Sequence, residues 1–385
     1  MRITLKWRDA DLDCTDHLHV ANSSPPICLA ALTAQLKFIN GALLSTSQPS
    51  AVTFTQQPEL LRNMPVSSFR SRLNRYARIA PEAQRWYPTA ALDGAPPDAQ
   101  FFRIKAMTPT TLDVDFNHPL ADAKVTLNIS AIAAAPRPTG HIETPLEEKL
   151  RAWLWAGPGI QRTHYRRPDS FDSQSTWTRE DNSDDHSFYA LPRFVQHIDA
   201  YARDTTARLY DRCSIHGAQA LDLMSSWVTH LPQHRDDVEL TGLGLNAQEL
   251  AQNQRLSHWD QHDLNQTPEL PYAEASFDVV YCSVSVEYLI RAREVFASVA
   301  RVLRPGGVFI NMFSDRCFPT KAIQLWAQLH PFERMRFVAD LYQRDCNYAD
   351  VHCWSLQGGA RPPDDDYAGQ MPNADPVFAV WARRT

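Results

Sequence analysis

The chain has 385 residues, enough for two domains, and its formal net charge of −6 lacks the basic excess typical of nucleic-acid binding. It has no apolar run of about 18 residues, and its N-terminal residues do not resemble a secretion signal. Seven scattered cysteines without metal-site spacing indicate reduced thiols. These features predict a cytoplasmic protein with no metal, no nucleic-acid partner and no membrane partner.

Residues 1–140 show the alternating apolar and polar pattern of antiparallel strands, for example from Phe101 to Lys105 and from Val125 to Ser130. The segment VDFNHPLADAKVTLNI (114–129) resembles the last hairpin of bacterial FKBP-type peptidyl-prolyl isomerases, and PELLRNMPVSSF (58–69) resembles the stretch before their active-site helix. The resemblance implies a β-rich, FKBP-like domain over residues 1–140. Leu127 stands where that family usually has an aromatic residue. This favours a structural or partner-holding role over isomerase activity, with pocket covering and homodimerisation both left open.

The segment RRPDSFDSQSTWTREDNSDDHS (166–187) is polar and acidic, with almost no apolar periodicity. Such a composition is typical of linkers and long surface loops. We therefore predict a connecting segment over residues 141–187.

From residue 188 onward the pattern becomes α/β. The stretch 280–310 holds an apolar run, an amphipathic helix, Arg-Pro-Gly-Gly and a second apolar run, which predicts a parallel βαβ crossover. SFDVVYCSVSVEYL (276–289) and VARVLRPGGVFI (299–310) resemble the fourth-strand and fifth-strand regions of class I S-adenosylmethionine-dependent methyltransferases. The resemblance covers residues 219–312. It implies an α/β, Rossmann-like methyltransferase domain over residues 188–385 that binds S-adenosyl-L-methionine.

The same resemblance implies cofactor contacts after the first predicted strand. The segment ALDLMSSWVTHLP (220–232) has the expected acidic residue, Asp222, but lacks the glycines that usually follow it. Met224, Ser225 and Ser226 would then face the methionine end of the cofactor, with the two serines offering hydroxyl and N–H groups to its carboxylate.

The second and third strands depart from the family pattern to different degrees. Gly244 replaces the acid that grips the ribose, so Gly242 and Gly244 would bring the backbone closer and Asn246 would supply a hydrogen bond. A simple helix-capping role for Asn246 is the alternative. The remaining cofactor contacts implied by the resemblance are Asp263, Leu264 and Asn265 at the adenine and Cys282 in the loop that faces the methyl group.

The acceptor side rests on a predicted lid helix that begins at Pro192. Arg193 and His197 would share one face with Tyr201, with His197 as general base; a solvated surface helix is the alternative. We predict Arg193, His197 and Tyr288 as catalytic residues. Arg316 and Lys321 are further cations that could bind an anionic acceptor.

Two functions compete on these grounds. The first is methyl transfer to a small-molecule acceptor, with a thiol, sulfide or phenolic oxygen favoured over nitrogen because such groups ionise easily. The second is a peptide-binding or folding-helper protein with an FKBP-like domain and a degenerate, non-catalytic methyltransferase fold. Binding of the cofactor discriminates between them.

Overall fold

A computed structural model describes residues 2–9, 12–20, 51–71, 79–130, 146–154, 157–163, 166–344 and 347–385. These residues form two compact units, the first comprising Met1–Thr176, Leu325–Arg336 and Trp354–Gly359, and the second comprising Trp177–Gln324, Phe337–Cys353 and Ala360–Thr385. No helix within the described ranges is both long enough and apolar enough to cross a bilayer. The sequence predictions for residues 21–50 and 131–145 lie outside the described residues.

The first unit is rich in antiparallel strands, as its alternating sequence predicts. Its strands are β1 (Arg2–Asp9), β2 (Leu12–His19), β3 (Ala51–Thr53), β4 (Leu61–Pro65), β5 (Trp86–Pro88), β6 (Phe101–Met107), β7 (Thr111–Asp115) and β8 (Lys124–Ser130). One sheet has the order β2-β1-β8-β3 and the other the order β4-β7-β6-β5. The predicted strands around Phe101 and Val125 are therefore confirmed as β6 and β8.

The core of the first unit comes from the apolar faces of these strands. Phe102, Ile104, Leu112, Val114 and Phe116 pack into one buried cluster beside the second sheet. The polar turn at residues 117–122 follows β7, and a hydrogen bond from the N–H of Ala121 to the carbonyl of His118 (2.8 Å) closes it.

The second unit contains a mixed sheet of the Rossmann-like kind. Its strands are β9 (Gln219–Leu223), β10 (Glu239–Gly244), β11 (His258–Gln261), β12 (Phe277–Ser283), β13 (Leu303–Phe313), β14 (Tyr348–Gln357) and β15 (Val377–Arg384). The order is β11-β10-β9-β12-β13-β15-β14, in which the strands from β9 to β13 run parallel to one another and β15 is antiparallel to β13. The strand order reverses between β9 and β12, and ligands of open α/β sheets bind at the carboxyl ends of the strands at such a point.

The described helices have between 4 and 14 residues. They are α1 (Leu146–Leu154), α2 (Asp185–Phe188), α3 (Ala200–Cys213), α4 (Ala247–Gln252), α5 (Ala292–Val302), α6 (Gln324–Gln328) and α7 (Pro331–Arg344). Single turns of 3₁₀ helix lie at Pro58–Leu60, Val66–Ser68, Thr89–Ala91, Asp169–Phe171, Gln174–Trp177 and Val286–Tyr288.

The predicted βαβ crossover is confirmed as β12–α5–β13. Val295, Phe296, Val299 and Val302 are all buried on one face of α5, which gives the helix its place against the sheet. The helix ends at Val302, before Pro305, because Leu303 already pairs with Phe277 of β12 as the first residue of β13.

Two segments differ from the sequence prediction. The described part of the proposed connecting segment 141–187 contains helix α1 and the buried residues Phe171 and Asp185, and the boundary between the units falls within it, after Thr176. The predicted lid helix at Pro192 is wrong, since residues 189–199 are irregular and α3 begins only at Ala200. The helix begins there because the Asp199 carboxylate accepts a hydrogen bond from the N–H of Ala202 at 2.8 Å.

Gly244 at the end of β10 generates a stability prediction. A Cβ atom at this position would lie 2.2 Å from the carbonyl oxygen of Ser225, a backbone atom that cannot rotate away. We expect Gly244→Ala to lower the free energy of unfolding by about 1–3 kcal/mol in urea denaturation. Gly369→Ala is the matched control, because a Cβ there meets nothing within 4 Å. Equal stability of the two variants would contradict the close approach.

Candidate functional site

A cavity opens at the carboxyl ends of β9, β10 and β12, where the strand order reverses. It encloses about 1230 Å³ of empty space, part of it open to solvent, which suffices for a nucleoside-sized ligand and a small second molecule. Its walls come from Asp185, Tyr189, Arg193 and 195–198; from Asp222, 224–230, 243–246 and Glu249; and from 262–265, 283–285, Tyr288 and Phe318. Of the predicted site residues, this set includes all except Gly242 and Cys282.

The loop after β9 turns without glycine. Met224 adopts a left-handed φ of +57° at the position where the turn begins, a conformation that glycine adopts more readily. Asp222 is buried and its Oδ2 accepts a hydrogen bond from the Ser225 hydroxyl at 2.7 Å. Burial raises the pKa of Asp222 to about 7, against the smaller lowering effect of its hydrogen bonds with Ser225 and Thr229.

At both glycines of β10, Gly242 and Gly244, neighbouring protein atoms occupy the space that a side chain would need. The missing side chain of Gly244 makes room for the Ser225 carbonyl, and that of Gly242 for the side chain of Leu256. Gly242 does not line the cavity. The backbone approach that these glycines permit is thus between loops of the protein.

Asn246 is the N-cap of α4, as the simpler alternative predicted. Its Oδ1 accepts from the N–H groups of Gln248 (2.9 Å) and Glu249 (3.1 Å). Its Nδ2 donates to the carbonyls of Tyr189 (2.8 Å) and Ala190 (3.3 Å). Because all the hydrogen-bonding positions of the amide are in use, the ribose contact predicted for Asn246 has no free group here.

The turn after β11 places Asp263 and Asn265 at the cavity with different freedom. Oδ1 of Asp263 accepts from the N–H groups of Asn265 (2.8 Å) and Gln266 (3.2 Å), while Oδ2 lies 3.7 Å from Nε2 of His186. The Asn265 amide donates to Asp185 and Tyr288 and accepts from Ile290. Asn265 therefore holds the neighbouring loop in place, and Asp263 retains an oxygen toward the cavity. Leu264 is buried beside them.

The loop after β12 contributes a tyrosine and no thiol. Tyr288 lines the cavity, and its hydroxyl accepts a hydrogen bond from the N–H of Phe318 at 2.9 Å. Burial raises the pKa of Tyr288 well above its usual value, so the phenol stays protonated. Cys282 is fully buried in β12 and does not line the cavity, and its burial likewise raises its pKa.

Residues 189–199, which we name the strap, lie along the cavity in place of the predicted lid helix. Three side chains from the sheet side hold its backbone. Asn246 donates to the Tyr189 carbonyl, Glu249 accepts from the N–H of Arg193 at 2.6 Å, and the Trp227 indole donates to the Val195 carbonyl at 3.2 Å. These long-range bonds replace the i to i−4 bonds that a helix would have made.

Arg193 places its guanidinium among aromatic rings at the cavity wall. Its Cζ lies 4.6 Å from the ring centroid of Phe188, 5.4 Å from that of Tyr189 and 5.5 Å from that of Phe318. Its Nη2 donates to the Phe188 carbonyl at 2.8 Å. The stacked rings hold the cation in one position.

Two histidines face the same cavity. His197 packs edge-on against Phe318, with ring centroids 5.4 Å apart, and burial lowers its pKa. Burial lowers the pKa of His230 to about 4, helped by Arg203 and His197, so this imidazole is neutral at pH 7. Our sequence analysis missed His230, although it lies in the quoted segment SSWVTHLP after the first strand. Other wall residues were missed as well, among them Asp185, Tyr189, Glu249 and Phe318.

The other two candidate cations do not line the cavity. Lys321 is fully buried and forms ion pairs with Asp181 and Asp185, each at 3.2 Å. The guanidinium of Arg316 lies over the Tyr367 ring, 4.6 Å from its centroid. The prediction that they bind an anionic acceptor is therefore wrong, and Arg193 is the one arginine or lysine among the described wall residues.

The charges of the wall suit a cationic ligand. Four carboxyl groups, those of Asp185, Asp222, Glu249 and Asp263, line the cavity with the single guanidinium of Arg193. Asp185 is balanced by ion pairs with Arg179 (2.9 Å) and Lys321 (3.2 Å), so the excess of negative charge comes from the other three. A ligand with a sulfonium and an ammonium group would complement this excess of negative charge.

The hydrogen bond between Glu249 and the strap generates a prediction about mobility. Glu249 also accepts from the Ser226 hydroxyl at 2.5 Å, so it joins the strap to the loop after β9. We expect Glu249→Ala to speed amide hydrogen exchange over residues 189–195 by about tenfold, the equivalent of one hydrogen bond to a charged group. Glu239→Ala is the control, since Glu239 accepts only from Gln219 at the start of the sheet. Unchanged exchange in Glu249→Ala would show that other contacts hold the strap.

Part of the sequence that forms this cavity matches a known protein family. Residues 225–311 match a family described as "Methyltransferase domain". The malonyl-[acyl-carrier protein] O-methyltransferase of Enterobacter lignolyticus is 29% identical over 129 residues, which are 33% of this chain and 51% of that protein. O-methyltransferase rstn1 of Aspergillus nomiae is 33% identical over 95 residues, 23% of this chain and 42% of that protein. The chain thus spans about half the length, or less, of these curated relatives.

Solved structures of low similarity were also found. The YcgJ protein of Bacillus subtilis aligns with a TM-score of 0.32 and 13% identity, covering 47% of this chain and 98% of that chain. A methyltransferase of Thermotoga maritima, described as a possible histamine N-methyltransferase, aligns with a TM-score of 0.35 and 10% identity, covering 49% and 90%. The match to a methyltransferase domain lies within the second unit, and S-adenosylmethionine is the cofactor that such a domain implies.

Proposed function

We propose that the chain transfers the methyl group of S-adenosylmethionine to an oxygen atom of a small molecule. The observation that carries the proposal is the cavity itself, which lies at the switch point of a matched methyltransferase domain and has an acidic wall with one arginine. The names of both curated relatives, which are O-methyltransferases, favour oxygen as the acceptor atom.

The residues at the strand ends fit the cofactor by their chemistry. Asp222, Ser225 and Ser226 would meet its methionine end, where a carboxylate can face the ammonium group and N–H groups can face the carboxylate. Asp263 and Leu264 would meet its adenine, with Oδ2 of Asp263 accepting from the amino group. Bound there, the cofactor supplies an electrophilic methyl group for in-line displacement, and the protein has to align the acceptor and exclude water.

The acceptor end would lie under the strap. Arg193 would favour the ionised form of an acceptor hydroxyl, because a fixed cation lowers the pKa of a nearby acid. His197, a base with lowered pKa, would take the proton. Tyr288 keeps its own proton and can donate a hydrogen bond to the acceptor. A phenolic oxygen suits these three groups, and a thiol or sulfide is the second candidate, because Arg193 would favour a thiolate in the same way.

The competing function is a peptide-binding or folding-helper protein with an FKBP-like first domain and a degenerate methyltransferase fold. Two observations favour it: the first loop lacks glycine, and the amide of Asn246 is fully engaged in capping α4 and holding the strap. Leu127, at the predicted aromatic position, is buried in β8 opposite Leu5 of β1. An apolar side chain held there would not line a peptide-binding bowl, so we propose a structural role for that strand.

The first prediction on the cofactor concerns Asp263. Asp263→Asn keeps an oxygen for the two N–H groups of its turn and converts the second oxygen into a donor. We expect this variant to bind S-adenosylhomocysteine about 10- to 100-fold more weakly in calorimetry, the loss of one charge-assisted acceptor. Asp260→Asn is the control, because the Asp260 carboxylate accepts from Tyr272 and does not line the cavity. Wild-type affinity in Asp263→Asn would place the adenine elsewhere.

A second prediction follows from the raised pKa of Asp222. An acid with a folded-state pKa of about 7 is largely protonated at pH 6 and ionised at pH 8. Because the ionised form attracts the ammonium group, affinity for S-adenosylhomocysteine should rise about tenfold between roughly pH 6 and pH 8. The same shift makes Asp222 contribute stability to the empty protein at low pH that is lost as pH rises through about 7. Asp222→Asn should remove the rise in affinity, and a rise that persists in this variant would refute the assignment.

The acceptor class is tested by turnover. We expect release of S-adenosylhomocysteine with phenols, less with thiols and none with amines, and Arg193→Gln should lower kcat/KM for the phenol about 10- to 100-fold. Arg208→Gln is the control, because Arg208 is an exposed residue of α3 that pairs with Asp204 and does not line the cavity. Turnover with an amine alone would overturn the proposal.

A further inference from the structure

The first unit has a cleft of its own between the sheet that contains β5, β6 and β7 and the polar turn at residues 117–122. It encloses about 980 Å³ of empty space, part of it open to solvent. Residues from β5, β6 and β7 form one side, and residues from the turn and from 162–166 form the other. Our sequence analysis assigned no ligand to these residues.

The lining of the cleft is basic, although the chain as a whole carries a net charge of −6. Four cationic side chains line it, those of Arg103, Lys105, Arg162 and Arg166, against two carboxylates, those of Asp115 and Asp122. His118 adds no charge, because burial lowers its pKa to about 4. Cations thus outnumber carboxylates four to two among the lining residues, while Asp9 and Asp169, outside the lining, pair with Arg162 (3.9 Å) and Arg166 (3.1 Å).

Two of the cations are buried and fixed. Arg103 is 2% exposed and lies 3.4 Å from Oδ2 of Asp115. Arg162 is 9% exposed, donates to the carbonyls of Pro119 (3.0 Å) and Ala121 (2.8 Å), and lies 3.9 Å from Asp9. The Asp115 carboxylate is shared, because its Oδ1 accepts from the backbone N–H and from the side-chain amide of Asn117 while its Oδ2 faces Arg103. Both guanidinium groups are thus held at the cleft before any ligand arrives.

Two further features indicate a ligand with acceptor atoms. Trp86 lines the cleft, is almost fully buried, and its indole N–H has no hydrogen-bond partner within the described ranges. Buried donors rarely stay unsatisfied, because each costs free energy. Lys105, at the rim, forms no ion pair in the part of the chain that the structure describes.

Backbone strain marks the same place. Six described non-glycine residues have a positive φ, and two of them, Gln84 (+71°) and Asp122 (+60°), line this cleft. Two others, Met224 and Val284, line the cavity of the second unit. Such conformations cost energy and concentrate at ligand sites.

From these observations we infer that the cleft is a second ligand site, which binds a small molecule through a phosphate or carboxylate group. Arg103 and Arg162 would hold the oxyanion with the Trp86 N–H, and Lys105 and Arg166 would add charge at the rim. Guanidinium groups match the planar oxygen pairs of both anions, so the chemistry of recognition is shared.

The test is a calorimetric titration of the full chain with inorganic phosphate and, separately, with succinate, against sodium chloride at equal ionic strength. We expect one saturable site per chain for at least one of the two anions, and the anion that binds identifies the group. Lys105→Gln/Arg166→Gln should weaken that binding by at least about tenfold. Both side chains are exposed, so the double variant keeps the fold.

The matched control is Lys6→Gln/Arg8→Gln, which removes the same two residue types from exposed positions on β1 outside the cleft. It should bind as the wild type does. Trp86→Phe, which deletes the unsatisfied N–H and keeps an aromatic ring, should weaken binding several-fold. No saturable binding of either anion, or equal weakening in the two double variants, would overturn the inference.

Discussion

The cavity of the second unit depends on the close contact between Gly244, at the end of β10, and the carbonyl of Ser225 in the loop after β9. The contact leaves no room for a Cβ, and the N–H of Ser225 donates to the Leu243 carbonyl at 2.7 Å beside it. The loop is thereby fixed against the second strand. From Ser226 the hydrogen bonds continue through Glu249 to the strap at Arg193. The close contact at Gly244 therefore positions the loop after β9 and, through Ser226 and Glu249, the strap.

The same contact explains how a loop without glycine can form a cofactor-sized site. Met224 supplies the left-handed turn that glycine normally supplies, and the next residue, Ser225, packs its carbonyl against Gly244. In the usual pattern the residue at Gly244 is an acid that grips the ribose. Here that acid is absent, and the nearest carboxylate on the adjoining helix is Glu249, which already accepts from Ser226 and Arg193. The chain thus departs from the family pattern at Gly244 and keeps an acid at Asp263.

The sequence predicted those features that depend on local patterns. The crossover β12–α5–β13 follows from apolar spacing and a Pro-Gly-Gly turn, and Asp222 in β9 was singled out by the family resemblance. The strap could not be predicted, because Arg193 and His197 have helical spacing while the N–H of Arg193 is taken by Glu249, 56 residues away. Lys321 was predicted as a cation available to the acceptor, because nothing near it in the sequence indicates that it is buried and paired. Its ion pairs with Asp181 and Asp185 are contacts distant in sequence that no local pattern reveals.

The central claim is that the cavity binds the S-adenosylmethionine scaffold. Calorimetric titration of the full chain with S-adenosylhomocysteine at pH 8, where Asp222 is ionised, tests it most directly. The account predicts saturable heat with one site per chain. A folded protein that gives no heat at high micromolar concentrations of S-adenosylhomocysteine would contradict it and favour the degenerate, non-catalytic fold.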